Sequence, residues 1–118
     1  MRLKSAMIYV KDLKRMAEFY TSVLGMKPIS ETQSNAWVEF DSGLALHVIP
    51  DEIAAQIVIT SPPEVREETP IKLFFGVTNL EMERQRLEQL GALVIVRPWG
   101  GVDVVDPEGN VFQLQRSS

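Results

Sequence analysis

The sequence contains no cysteine, one histidine and no long run of either charge. Without cysteine in its 118 residues, disulfides, thiolate metal ligands and cysteine nucleophiles are excluded. The formal net charge is −4, and in the absence of a Lys/Arg-rich segment we expect no nucleic-acid partner. Lys4, Lys11 and Asp12 interrupt the first apolar stretch, so it reads neither as a signal peptide nor as a membrane span. We therefore expect a cytoplasmic protein that does not contact a membrane.

The first half of the chain is predicted to form a strand, a helix and three further strands. A mixture of β-branched and apolar residues indicates a buried strand at 3–10. Apolar residues at helical spacing then predict a helix at 13–24, with Asp12 as its N-cap and Gly25 as its left-handed C-terminal cap. Turn-forming residues separate three short strand candidates, which are 27–32, 36–41 and 44–49.

The second half repeats this plan. A strand at 71–77, Asn79 as N-cap, a helix at 80–90 and Gly91 as C-terminal cap are followed by strands at 93–97, 102–105 and 111–115. The segments flanking the two N-caps align with each other at a shift of 67 positions, and the two glycines at a shift of 66, which indicates an internal duplication. With 45% hydrophobic residues the chain can form one core. We therefore predict a single α+β domain at 1–118, composed of module one (1–49), a surface connection (50–70) and module two (71–118).

Three segments carry a resemblance to a known family: MIYVKDLKRMAEFYTSVLGMKPI, KLFFGVTNLEMERQRLEQLGALVI and PWGGVDVVDPEGNVFQLQ. They resemble the vicinal oxygen chelate superfamily, which includes glyoxalase I, extradiol dioxygenases, fosfomycin resistance enzymes and bleomycin resistance proteins. The resemblance covers nearly the whole chain apart from 50–70 and does not define an activity. It implies two tandem βαβββ modules that form a curved mixed sheet around a central cavity, with the helices outside, and it implies a dimer.

The alternation of side chains along the strands predicts which residues face the cavity. If the helices cover the more apolar face of each sheet, the opposite face carries a second set of side chains. That set includes Ser5, Tyr9, His47, Lys72, Phe74 and Gln113. The repeat pairs Ser5 with Lys72 and His47 with Gln113, so we expect these four residues to converge.

The resemblance places the same four residues where metal-dependent relatives carry their ligands, commonly His, Glu and Gln. Ser5 and Lys72 depart from that pattern. A divalent ion needs several carboxylate or imidazole lone pairs, and deprotonating a lysine at pH 7 costs about 4–5 kcal/mol. We therefore expect no metal and no other cofactor, with the charge of Lys72 in place of the ion.

The two tryptophans are further candidates for ligand contacts. Trp99 lies in the turn Pro98-Trp99-Gly100-Gly101, where little neighbouring bulk is available for a large ring. In bleomycin resistance proteins, which the chain resembles, such a turn borders the ligand groove. Trp37 is expected on a partly wet strand face that also carries Glu39. The segment 106–110 is interpreted as a tight turn without a chemical role.

The sequence favours a metal-free small-molecule-binding protein of the glyoxalase/bleomycin resistance type, whose ligand is planar or anionic. The predicted ligand-binding residues are Ser5, Tyr9, Trp37, His47, Lys72, Phe74, Trp99 and Gln113. Strand edges and apolar sheet rims that a chain of this size covers poorly favour a homodimer.

Other interpretations of the sequence stay open. The alternative is a glyoxalase-like lyase or isomerase, or a dioxygenase-type enzyme. The sequence does not decide whether the protein catalyses a reaction. As an enzyme it would use His47 as general base and Lys72 to stabilise an oxyanion, or a metal held by other ligands. Both residues also have an interpretation without a functional role. In that interpretation His47 is a packed strand residue, and Lys72 is a solvated charge at the end of a strand. A purely structural module is disfavoured, because core packing does not require four polar residues facing one cavity.

Overall fold

The computed structural model of the protein describes residues 1–29 and 34–117. The chain divides into two compact units, Met1–Ile59 and Thr60–Ser118. Both combine strands and helices, which confirms the predicted α+β class. Within the described ranges, no helix is long and apolar enough to cross a membrane.

The first unit is a three-stranded mixed sheet with a helix on one face. Its elements are β1 (Ala6–Val10), α1 (Leu13–Glu18) with a π-helical continuation (Phe19–Val23), β2 (Trp37–Glu39), β3 (Leu44–Val48) and α2 (Asp51–Ala54). The strand order is β1-β3-β2, with β1 parallel and β2 antiparallel to β3. The predicted strand at 27–32 is partly described: Pro28 forms a bridge with Phe40, while 30–32 lie outside the described residues.

The predicted caps define the ends of the first helix. The Asp12 carboxylate accepts the backbone N–H of Arg15 at 3.1 Å, and Gly25 adopts a left-handed φ of +74° at the other end. The last turn differs from the prediction, because the backbone N–H of Leu24 donates to the carbonyl of Phe19 at 3.2 Å, a π-helical bond. The helix side of the sheet is the apolar core of this unit, with Val10, Met16, Tyr20, Val38, Leu44 and Leu46 all buried.

The second unit is a four-stranded sheet with the same order of elements. These are β4 (Leu73–Val77), α3 (Leu80–Gln89), β5 (Leu93–Val96), β6 (Val102–Val105) and β7 (Val111–Arg116). The strand order is β4-β7-β6-β5, with β4 parallel to β7 and the other pairs antiparallel. The Asn79 side chain caps α3 by accepting the N–H of Met82 at 3.0 Å. Phe75 packs edge-on against Phe112, with ring centroids 5.0 Å apart.

The turn between β6 and β7 has the structural role that the sequence predicts. The buried Asp106 carboxylate accepts the backbone N–H groups of Glu108 and Asn110, each at 3.0 Å. At Gly109 the turn also meets the preceding connection, because the N–H of Arg66 donates to the Gly109 carbonyl at 2.9 Å. This contact fixes part of the connection against the second sheet.

Candidate functional site

In the first unit, three predicted ligand-binding residues form one row across the sheet. His47 on β3 lies opposite Tyr9 on β1 and opposite Trp37 on β2. The Tyr9 side chain is 62% exposed, whereas its neighbour Val10 is fully buried. The rings of Tyr9 and His47 lie with centroids 5.7 Å apart. The face opposite α1 therefore carries an aromatic row, as the strand alternation predicts.

The histidine has a defined hydrogen bond. Its Nδ1 lies 2.8 Å from the carbonyl oxygen of Val48. Since a carbonyl only accepts, Nδ1 carries a proton, and in the neutral ring Nε2 keeps its lone pair. No residue in the described ranges hydrogen-bonds to Nε2. His47 is therefore suited to accept a hydrogen bond or a proton from a ligand.

The structure does not bring Ser5 to this row. Ser5 precedes β1 and lies four residues before Tyr9. At the usual rise of a strand that distance is about 13 Å, too far for a serine hydroxyl and the His47 ring to hold one small ion. Ser5 therefore lies outside the row that carries His47.

In the second unit, a row across the sheet contains Phe74, Gln113 and Asp103 on β4, β7 and β6. Phe74 is 54% exposed, and Asp103 is fully buried. Lys72, one residue before β4, extends to this row and donates from Nζ to Asp103 Oδ2 at 2.8 Å. Lys72 thus contacts the Asp103 carboxylate, and Gln113 is the strand neighbour of Asp103 in the same row.

One carboxylate oxygen of Asp103 accepts hydrogen bonds from two cations. Arg97 Nε also donates to Oδ2, at 2.9 Å, whereas Oδ1 is buried without a partner in the described part of the chain. Arg97 forms a second ion pair with Glu67. Hydrogen bonds with Asp103, and secondarily with Glu67, raise the pKa of Arg97, which keeps its charge. Lys72 is therefore an ion-paired residue and not the solvated strand-end charge of the alternative interpretation.

A hollow of about 340 Å³ lies above this ion-pair network. We call it the cationic hollow, and its lining residues are Arg66, Glu67, Thr69, Lys72, Arg97, Trp99 and Val111. Trp99 is 73% exposed, and its indole packs on Gly101, where an added methyl would lie 2.7 Å from Nε1. Two predicted ligand-binding residues, Lys72 and Trp99, thus line one hollow.

Four charged residues of this network were not predicted from the sequence: Arg66, Glu67, Arg97 and Asp103. One signal was available, since Asp103 is a lone charge in the apolar strand segment 102–105 and a buried carboxylate requires a cationic partner. The signal does not identify the partners, because Lys72 lies 31 residues earlier in the chain.

The residues at the family's metal positions do not fit a divalent ion. The Lys72 ammonium donates to Asp103 and has no lone pair to offer, and Ser5 lies away from the His47 row. What is left is one imidazole and the Gln113 amide, which is too few donors. Among residues 1–29 and 34–117, no group of three or more His, Cys, Asp and Glu side chains is placed to hold a metal.

The two mixed sheets, each with a helix on one face and aromatic and polar side chains on the other, have the βαβββ plan of the vicinal oxygen chelate superfamily. The sequence model of the glyoxalase-like domain matches residues 5–115. The chain therefore belongs to the glyoxalase-like domain family, which confirms the predicted superfamily.

Solved structures of both binding proteins and enzymes share this fold. A protein of unknown function from Agrobacterium tumefaciens is 24% identical, with 100% of this chain and 95% of that chain covered and a TM-score of 0.73. An antibiotic binding protein from a Streptomyces species is 20% identical, with coverages of 100% and 97% and a TM-score of 0.66. The trypanothione-dependent glyoxalase I of Leishmania major is 20% identical, with coverages of 98% and 86% and a TM-score of 0.67. No curated protein matches the sequence.

Proposed function

We propose that this chain is a cytoplasmic, metal-free small-molecule-binding protein of the glyoxalase/bleomycin resistance type, and that its ligand is flat and anionic. The observation that carries the proposal is the cationic hollow, where Lys72 and the exposed Trp99 lie together. Its volume of about 340 Å³ is in the range of small-molecule sites.

The chemistry of the hollow supports a flat anion. An indole provides a rigid apolar surface, and stacking on it stabilises a flat ring by about 0.5–1.5 kcal/mol beyond the area buried. Positive groups in a partly enclosed hollow attract an anion more strongly than they do in water. In the same unit, Phe74 is proposed as a further ring contact and Gln113 as a polar contact. The first-unit residues Ser5, Tyr9, Trp37 and His47 stay predicted ligand contacts.

Tryptophan fluorescence tests this proposal. Because the chain has two tryptophans, the Trp37→Phe variant keeps Trp99 as the single reporter. We expect 2-naphthoate to quench its fluorescence saturably and the neutral 2-naphthamide to bind more weakly. Lys72→Met should weaken naphthoate binding about tenfold, the effect of a lost interaction with a charged group. In the same background, Trp99→Ala should weaken naphthoate binding measured by calorimetry.

The control for Lys72→Met is Lys14→Met, which removes an exposed lysine from α1 of the first unit. This variant should bind naphthoate like the parent protein. Equal affinity for naphthoate and naphthamide, or equal affinities of the two lysine variants for naphthoate, would show that the hollow does not recognise an anion.

A second candidate is a glyoxalase-like lyase or isomerase, and the His47 hydrogen bond favours it. With Nδ1 donating to Val48, Nε2 can take a proton from a carbon acid and leave an enolate. Deuterium exchange at the methylene group of phenylpyruvate, followed by NMR, distinguishes the two functions. Exchange above the rate in buffer, lost in His47→Gln, would establish the enzyme.

We also propose that the protein is a homodimer. Large apolar side chains are exposed in both units, including Met7 at 43% in the first unit and Ile71 at 73% in the second. A second copy would cover such side chains. Light scattering after gel filtration should therefore give twice the chain mass at micromolar concentration. The mass of a single chain would contradict this proposal.

A further inference from the structure

We propose that Arg66 is the principal anion contact in the cationic hollow and that the hollow selects monoanionic carboxylates over dianionic phosphates. This inference rests on the proposed function, and it adds a contact residue and an anion class. Its basis is the arrangement of the four charged residues that line the hollow and of Asp103, which is hydrogen-bonded to two of them.

Arg66 differs from the other two cations of the hollow. Lys72 is paired with Asp103, and Arg97 is paired with both Asp103 and Glu67. Arg66 lines the same hollow, and its guanidinium has no ion-pair partner within the described ranges. An unpaired guanidinium offers two parallel N–H donors that match a carboxylate. The capacity to bind an anion is therefore concentrated at Arg66.

The charges of the hollow also limit the charge of its ligand. The lining contributes three cations and the carboxylate of Glu67, and Asp103, which is hydrogen-bonded to Lys72 and Arg97, brings the net charge to +1. A monoanion neutralises this excess, whereas a phosphate monoester, with a charge of about −1.5 to −2 at pH 7, leaves surplus negative charge. Asp103 is fully buried and cannot turn away from the bound anion, and Glu67 lines the hollow itself. The two carboxylates therefore penalise a dianion more than a monoanion.

The same packing positions Arg66. Its backbone N–H donates to the carbonyl of Gly109 at 2.9 Å, and residue 66 forms a bridge with Asn110 on the neighbouring turn. Because the backbone of Arg66 is already held in place, only its side chain has to be ordered when an anion binds. This lowers the entropy cost of binding.

The test compares 2-naphthoate with 2-naphthyl phosphate at about pH 8, where the phosphate is a dianion. Both titrations use the Trp37→Phe protein and the fluorescence of Trp99. We expect naphthoate to bind more tightly, by about threefold or more. Arg66→Gln should weaken naphthoate binding by about tenfold or more, a larger loss than that caused by Lys72→Met.

Glu67→Gln tests the charge argument separately. It raises the net charge of the hollow by one, so the affinity ratio should shift toward the phosphate by about threefold to tenfold. The matched control is Glu52→Gln, which removes an exposed carboxylate from α2 in the first unit and should leave the ratio unchanged.

The outcomes separate this inference from the proposed function. If neither naphthyl compound binds, the proposed function itself is wrong. If naphthoate binds and depends on Lys72, three results would each overturn the inference alone. These are tighter binding of the phosphate to the parent protein, unchanged naphthoate affinity in Arg66→Gln, and the same affinity ratio in Glu67→Gln and Glu52→Gln.

Discussion

Replacing Gly109 with alanine is expected to lower the free energy of unfolding by about 3–5 kcal/mol. Gly109 has a φ of +91°, where an L-residue is strained. An added methyl would also lie 2.1 Å from the carbonyl oxygen of Glu64, a backbone atom that no change of side-chain rotamer can move. Relief of this contact would separate Gly109 from Arg66 and break their hydrogen bond. Urea denaturation followed by circular dichroism measures the loss.

Gly91→Ala is the control for this substitution. Gly91 has a similar φ of +80°, and no atom lies within 4 Å of the position that its added methyl would occupy. The free energy of unfolding of this variant should fall only by the cost of backbone strain at positive φ, about 1–2 kcal/mol. If the two variants are destabilised equally, the close approach of Glu64 to Gly109 does not contribute to stability.

Removing both cations from Asp103 is expected to be far more damaging than removing either one. In Lys72→Met or Arg97→Met the buried carboxylate keeps one donor, so each loss should be about 1–2 kcal/mol. In the double variant the carboxylate is buried and unpaired, and the expected loss is about 3–5 kcal/mol. A double-mutant cycle by chemical denaturation at neutral pH measures the non-additivity.

A third substitution tests whether the unpaired charge is the cause. Asp103→Asn removes the charge with little change of shape, so adding it to the double variant should restore about half of the lost stability. Strictly additive losses, or a triple variant no more stable than the double, would show that Asp103 does not depend on these two partners.

The fold could be predicted from the sequence because its signals are local. Asp12 and Asn79 cap helices as predicted, and Gly25 and Gly91 have the positive φ values that a left-handed cap requires. Such signals act over three or four residues and need no knowledge of the tertiary structure. The π-helical turn at Phe19–Val23 was missed, because apolar spacing does not distinguish the two hydrogen-bond patterns over a single turn.

The candidate site was predicted only in part, because it depends on strand register and on distant ion pairs. The sequence aligns His47 with Gln113, but Ala6 pairs with Leu44, 38 residues later, whereas Leu73 pairs with Phe112, 39 residues later. With β1 matched to β4, the counterpart of His47 is therefore Gln115. The register therefore differs by one residue between the two sheets. Register depends on turn lengths, which the helix caps do not determine.

The exposed connection between the two duplicated halves has a consequence for how this protein evolves. Arg66, Glu67 and Thr69 belong to it and form one wall of the cationic hollow, yet they lie outside every strand of the second sheet. Surface connections tolerate insertions and replacements that a pleated strand does not. A lineage can therefore acquire a new ligand preference by exchanging this segment, without any change to the buried core.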